Sequence, residues 1–133
     1  MKILLTHPNL IGIVDRVQEK CSAPIIGSSN YQEVLNKIAQ GEVEKLGIVF
    51  EVTGIDSLEL IKKVYALDPT LPILAWDCVG LHFDELGDYQ ELLEDHIFYI
   101  NSKDLKGDPF FEMFDKFYCG TLIPFNFLEL EKT

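Results

Sequence analysis

The sequence predicts an α/β fold: a doubly wound, five-stranded parallel sheet with helices on both faces. Two observations favour it. Short apolar runs alternate with helical patterns along the 133 residues, and these runs are almost continuously hydrophobic, as in strands covered on both faces. With 47% hydrophobic residues, the chain is long enough for one domain with its own core. We expect that domain to span residues 1–120 and to be followed by a tail or linker, residues 121–133.

Five runs rich in Ile, Leu and Val have the length of single strands. They are Lys2–Thr6, Ala23–Gly27, Leu46–Glu51, Pro72–Trp76 and Ile97–Ile100. Short connections and right-handed crossovers favour a flavodoxin-like (βα)₅ arrangement with strand order 2-1-3-4-5.

Helical patterns follow each predicted strand. The first has its apolar stripe at Leu10, Ile13, Val14, Val17 and Cys21. Asn30 and Asp56 have the capping-box spacing that opens the second and third helices, while Gly41 and Asp68-Pro69 are suited to end them. The fourth, Leu81–Glu94, is the weakest because Gly87 interrupts it; the fifth begins near Asp108-Pro109 and carries a phenylalanine stripe.

The charge is strongly acidic, with a net value of −11. Such a chain repels phosphate backbones, so we expect no direct contact with nucleic acid. Ten of the acids lie between Leu81 and Lys116, against three lysines. This stretch is either a solvated face or a docking surface for a basic protein partner.

No apolar run reaches the roughly 20 residues of a membrane helix, so we expect no membrane segment and a cytoplasmic location. The three cysteines, Cys21, Cys78 and Cys119, have no CxxC or His/Cys spacing. Buried free thiols are expected, with neither a zinc site nor a disulfide.

Polar residues collect where the predicted strands end. His7 follows the first strand, Glu51 ends the third, Asp77 follows the fourth and Lys103 follows the fifth. Because function in such sheets gathers at the carboxyl ends of the strands, these residues form the candidate pocket.

Up to about Gly120 the chain resembles a response-regulator receiver domain. The resemblance rests on pattern and spacing in Lys2–Leu5, Gly27–Leu35, Leu46–Leu60 and Leu71–Leu74. It implies a role in signal transduction. It also implies a site in which an acidic pair after the first strand holds Mg²⁺ beside a phosphoryl-accepting aspartate.

The departures from the family lie in that site. The acidic pair matches His7 and Pro8, neither of which supplies a carboxylate to Mg²⁺. The acceptor position matches Glu51, and the Thr or Ser after the fourth strand matches Asp77. The family's lysine matches Lys103, one residue late. We therefore expect a pseudo-receiver: not an enzyme, without metal or cofactor, and independent of phosphorylation.

Several alternatives remain open at the residue level. Glu51 either pairs with Lys103 where a phosphoryl group would stand, or forms a merely structural salt bridge, or is a working acceptor. His7 with Glu51 and Asp77 would suit a transition metal on paper, but a hydrogen-bonded loop histidine is the commoner arrangement. Tyr99 matches an aromatic that switches rotamer in receivers; here it is either that switch or packing.

The expected function is regulation by protein–protein interaction. The predicted docking surface comprises the fourth predicted helix, the fifth strand and the fifth predicted helix. A homodimer could use the same face, and the tail either extends it or leads to a further domain. Its candidate residues are Asp84, Glu85, Asp88, Tyr99, Phe110 and Phe114. The alternatives are a genuine phosphoacceptor response regulator using Glu51 and a small-ligand-binding flavodoxin-like protein.

Overall fold

A computed structural model describes residues 1–49, 52, 54–78, 97–101 and 107–120. The strands are β1 (Lys2–Leu5), β2 (Ile26–Ser28), β3 (Lys45–Val49), β4 (Ile73–Asp77) and β5 (Ile97–Asn101). The helices are α1 (Gly12–Lys20), α2 (Tyr31–Ala39), α3 (Ser57–Leu67) and α4 (Asp108–Tyr118). The predicted fourth helix, Leu81–Glu94, and the tail from Thr121 lie outside the described residues, so α4 is the fifth helix of the sequence prediction.

The sheet is parallel throughout, as predicted for a flavodoxin-like α/β fold. Its first four strands lie in the predicted order 2-1-3-4, and β5 pairs with β4 at the far edge. Each observed strand lies within a few residues of the predicted one. The parallel register brings the carboxyl ends of β1, β3, β4 and β5 to one edge, which is where the candidate pocket is expected.

Two apolar clusters cover the two faces of the sheet. One joins α2 and α3 to side chains such as Ile3, Leu46 and Ile73. The other joins α1 and α4 to Leu4, Leu74 and Trp76 on the opposite face. Successive strand residues point to opposite faces. This explains why the strands are apolar at nearly every position.

The predicted helix starts are confirmed for α2 and α3. The Asn30 side chain accepts hydrogen bonds from the backbone N–H groups of Gln32 and Glu33, and Asp56 accepts one from Glu59. Such caps satisfy backbone donors that the first helical turn leaves unpaired. Gly41, with a φ of 74°, follows the end of α2 in the left-handed conformation that glycine allows.

The fit of α4 against the sheet depends on one glycine. A side chain at Gly47 in β3 would meet the hydroxyl of Tyr118 and, at 2.9 Å, the ring of Phe114. The Tyr118 hydroxyl is fully buried and donates a 2.7 Å hydrogen bond to the carbonyl oxygen of Ile3. Gly47 therefore lets α4 lie close enough to β3 and β1 for that bond to form.

Among the helices of the described residues, none combines the length and the apolar character needed to cross a bilayer.

Candidate functional site

The end of β1 is a compact polar turn. The side-chain hydroxyl of Thr6, fully buried, donates to the carbonyl oxygen of His7 at 3.0 Å. The Nδ1 atom of His7 accepts a hydrogen bond from the backbone N–H of Asn9, also at 3.0 Å. A neutral histidine that accepts at Nδ1 carries its proton on Nε2. His7 is thus the capping residue of the loop, as the hydrogen-bonded alternative predicted.

Pro8 begins a single 3₁₀ turn, Pro8–Leu10, that leads into α1. Backbone hydrogen bonds from Leu10 to His7 (2.8 Å) and from Ile11 to Pro8 (3.3 Å) close the turn. Proline suits this place because it has no N–H to leave unpaired and its φ is fixed. The loop therefore presents one imidazole, itself already hydrogen-bonded, and no carboxylate from either position that matches the family's acidic pair.

Asp77 is the last residue of β4, whereas the sequence placed it in the following loop. It stands opposite Asn101 of β5 in the register and its side chain is fully buried. By strand alternation it lies on the same face as Ile73 and Ala75, away from Trp76. A carboxylate in such a place is stable only with hydrogen-bonding partners. Asp77 is therefore part of the interior of the sheet edge.

Other members of the predicted site lie outside the described residues. These are Glu51, Lys103, Asp84, Glu85 and Asp88. Their positions, and the predicted Glu51–Lys103 pair, stay predictions. Tyr99 is a residue of β5 opposite Ala75, but its side chain also lies outside the description, so the rotamer prediction is untested.

The structure corrects two members of the predicted docking surface. Phe110 and Phe114 are fully buried, and their rings lie 4.9 Å and 6.0 Å from that of Trp76. The phenylalanine stripe of α4 packs onto the sheet because that contact removes the most apolar area from water. Trp76 is a core residue. The surface of α4 is instead formed by exposed Glu112 and Lys116.

A second polar cluster, which we call the thiol cluster (Cys21, Ser22, Asp115 and Cys119), joins the ends of α1 and α4. The Ser22 hydroxyl lies 3.0 Å from the sulfur of Cys119, and an Asp115 oxygen accepts from the Ser22 N–H at 3.3 Å. Burial, and then the Asp115 carboxylate and Cys119, raise the pKa of Cys21 from its ordinary 9.0 to about 12. No local sequence pattern indicates the cluster, because its halves lie more than ninety residues apart.

The cysteine prediction is only partly right. Cys21 is buried, but Cys78 is half-buried and Cys119 is exposed; all three are free thiols. Within the part of the chain that the structure describes, no group of three or more His, Cys, Asp or Glu side chains is arranged to hold a metal ion.

Comparisons with known proteins give no match in sequence. No protein-family model matches the chain. No curated protein matches it either.

Solved structures do match. The chain is similar to the receiver domain of the Francisella response regulator 1452, with a TM-score of 0.66, 12% identity, and 91% of this chain and 98% of that one covered. It is similar to the response regulator TrrA of Thermotoga maritima, solved in complex with Mg²⁺ and BeF, with a TM-score of 0.65 and 20% identity, covering 88% and 99%.

A de novo designed Rossmann 2x3 protein matches equally well, with a TM-score of 0.67 and 11% identity over 94% of this chain and 95% of the design. At such identities the likeness shows the fold alone. The fold is therefore that of receiver domains and of a designed protein alike, and function has to be argued from the residues of the site.

Proposed function

We propose that this chain is a receiver-like regulatory domain that acts in signal transduction by binding another protein, without phosphorylation and without catalysis. The observation that carries the proposal is the turn after β1. The positions that match the acidic pair of receivers are His7 and Pro8, and the imidazole of His7 already caps the turn through Asn9.

The donor set at the strand ends supports a site that does not bind Mg²⁺. Mg²⁺ requires near-octahedral coordination by oxygen ligands, usually with one or two carboxylates. Pro8 has no donor side chain, and His7 offers only nitrogen. Asp77 is a carboxylate but is fully buried at the end of β4, where an incoming phosphoryl group would meet a like charge. Without a cation, a phosphorylated carboxylate at this edge has little to offset its charge.

Glu51 completes the proposed site. Its sequence position makes it a longer equivalent of the acceptor aspartate, and we propose that it pairs with Lys103. Such a pair would hold a single arrangement of the strand-end loops in place of a switch driven by a phosphoryl group.

A phosphorylation assay tests the proposal. The chain is incubated with Mg²⁺ and an acyl phosphate donor, and its intact mass is measured beside Glu51→Gln and Asp77→Asn variants. We expect no phosphoryl adduct on any of the three proteins. An adduct that forms on the natural chain and disappears in Glu51→Gln would instead establish the alternative, a genuine phosphoacceptor response regulator.

The docking surface is proposed to include the acidic stretch with Asp84, Glu85 and Asp88, together with the outer side of α4. Charge complementarity then favours a partner with a basic surface. Phe110 and Phe114 contribute by holding α4 in place, since both are buried in the core. Exposed Glu112 is an acidic residue through which α4 can contribute directly to this surface.

Charge reversal tests the surface once a partner has been isolated. We expect Asp84→Lys, Glu85→Lys, Asp88→Lys and Glu112→Lys, combined, to weaken binding of the partner and to reduce its dependence on salt. Glu42→Lys, an exposed change in the connection between α2 and β3, is the control and should leave affinity unchanged. Equal affinity in both variants would place the contact elsewhere.

A further inference from the structure

The opposite edge of the sheet, formed by β2, is open in the described part of the chain. Among the described strands, β2 is the last on that side and pairs only with β1. Ile26 is 46% exposed and Gly27 is exposed as well. An open edge carrying an apolar side chain is a template for pairing with another strand.

The hydrogen-bond pattern shows which backbone groups face outward. Thr6 donates its N–H to the carbonyl oxygen of Ser28 at 2.9 Å. In a parallel ladder the N–H and C=O of one residue point to the same side and alternate along the strand. The backbone N–H and C=O groups of Ser28 and Ile26 therefore point toward β1, and those of Gly27 point to the open edge.

The chain before β2 is held firmly. The side chain of Gln18 donates to the Ala23 carbonyl at 2.8 Å and accepts from the Ile25 N–H at 2.7 Å. Val14 of α1 lies directly over Gly27, where a Cβ atom would approach it to 2.7 Å. The edge is thus a short rigid segment, with the N–H and C=O of a single glycine directed outward.

This edge is neutral in a chain with a net charge of −11. No Asp, Glu, Lys, Arg or His occurs from Ser22 to Gln32, and no Asp, Glu, Lys or Arg from Ile3 to Val14. Natural edge strands are commonly protected by charged side chains, which this one lacks. Two copies of an acidic chain repel each other over most orientations. A neutral edge is a place where they can approach.

We propose that β2 pairs with β2 of a second copy of this chain, antiparallel, about a two-fold axis at Gly27. In that register the two Gly27 residues exchange both of their hydrogen bonds, and Ile26 lies opposite Ser28 of the other copy. The contact is self-complementary, as a two-fold interface requires. It continues the sheet through both copies and leaves β5 and the proposed docking surface free.

Because β2 has three residues, the contact is small and the dimer is weak and dependent on concentration. Its response to salt distinguishes it from an interface of ion pairs. Added salt screens the repulsion between two acidic chains and strengthens this dimer, whereas it weakens an association held by charge.

Sedimentation over a range of protein and salt concentrations tests the proposal, with Ile26→Asp as the variant. We expect its dimer dissociation constant to rise about tenfold or more, since two half-exposed isoleucine side chains are replaced by like charges. Leu67→Asp is the matched control, because Leu67 is 45% exposed, on α3 away from β2. Circular dichroism checks that both variants are folded.

Hydrogen exchange at the Gly27 amide locates the contact. We expect its exchange to slow as the protein concentration rises in the natural chain and in Leu67→Asp, but not in Ile26→Asp. A chain that stays monomeric at every salt concentration would overturn the proposal. So would a dimer that is unaffected by Ile26→Asp, or one that both aspartate variants weaken equally.

Discussion

At the scale of single residues, Gly47 is tightly constrained because there is no space for a side chain at its position. The strand around it is buried from Leu46 to Val49, and the space that a Cβ would need is occupied by α4 and by Leu4. Sequence alone places Gly47 inside an apolar run, where glycine is usually a weakness. The structure gives the reason: the hydroxyl of Tyr118 occupies this space, where it donates its hydrogen bond to the carbonyl oxygen of Ile3.

We expect Gly47→Ala to lower the free energy of unfolding by about 2 kcal/mol, because neither Tyr118 nor Phe114 can move without disturbing the core. Gly12→Ala is the matched control: nothing lies within 4 Å of its Cβ position at the start of α1. In that variant the free energy of unfolding should be unchanged or higher by about 0.5 kcal/mol. Urea denaturation with equal m-values measures both. Similar midpoints for the two variants would contradict the close approach of α4.

The buried Cys21 thiol and Tyr118 hydroxyl predict a loss of stability at alkaline pH. Burial raises the pKa of Cys21 to about 12 and that of Tyr118 well above its usual 10.0. Below the pKa values of the unfolded chain, both groups are protonated in the folded and in the unfolded state. The free energy of unfolding therefore has its full value there. As the pH rises, the unfolded chain ionises first, and the free energy of unfolding falls until the folded groups also ionise.

For Cys21 that window lies between pH 9.0 and about 12. We expect Cys21→Ala to reduce the slope of stability against pH in this window, measured by urea denaturation at stepped pH. Cys119→Ser, which removes an exposed thiol and the weakest of the three influences on Cys21, should nearly keep the slope. Identical slopes in all three proteins would show that Cys21 ionises in the fold as it does in the unfolded chain.

At the scale of the elements, a lysine secures the end of α4. The Lys45 ammonium donates to the carbonyl oxygen of Phe117 at 2.6 Å and to that of Tyr118 at 3.4 Å. It also lies 5.7 Å from the centre of the Phe117 ring. A cation at a helix C-terminus satisfies carbonyl groups that have no partner within the helix. Burial lowers the pKa of Lys45, so the contact is made partly at the expense of its hydration.

We expect Lys45→Met to destabilise the protein by about 1 kcal/mol, since the stem remains but the charged hydrogen bonds are lost. The loss should be concentrated in the last turn of α4, where hydrogen exchange of the Cys119 amide should accelerate. Lys2→Met, at the neighbouring position of β1, is the control and should leave that amide unchanged. Unchanged exchange in Lys45→Met would show that α4 ends equally well without the lysine.

The helices show which features can be predicted from sequence and which cannot. Local signals were sufficient where the cause is local: the Asn30 and Asp56 caps hold as predicted because each side chain bonds to its own helix. The phenylalanine stripe of α4 was recognised, but its spacing identifies an apolar face without saying what covers it. Phe110 and Phe114 were therefore assigned to a surface, while the sheet in fact buries them.

The candidate site was predictable only in its location. Parallel strands bring His7 and Asp77 to one edge, as expected, but sequence spacing did not indicate that Asp77 is the last residue of β4 and fully buried. The thiol cluster could not be predicted from the sequence for a different reason. Its contacts join residues that are distant in the chain, and only the packing of α1 beside α4 brings them together.

At the scale of the whole molecule, the charge of −11 should govern how stability responds to salt. Like charges repel within the folded chain, and raising the ionic strength to about 0.15 M shortens the screening length to about 8 Å. We expect the free energy of unfolding to increase with sodium chloride, by on the order of 1 kcal/mol from low salt.

Two matched variants make the cause testable. Glu19→Lys with Glu112→Lys, both exposed, brings the charge to −7, and Lys62→Gln with Lys63→Gln brings it to −13. Urea denaturation across a salt series should give the shallowest dependence for the first pair and the steepest for the second. If all three proteins responded equally, the effect of salt would arise from ion-specific binding or from the hydrophobic core, because neither of these depends on net charge.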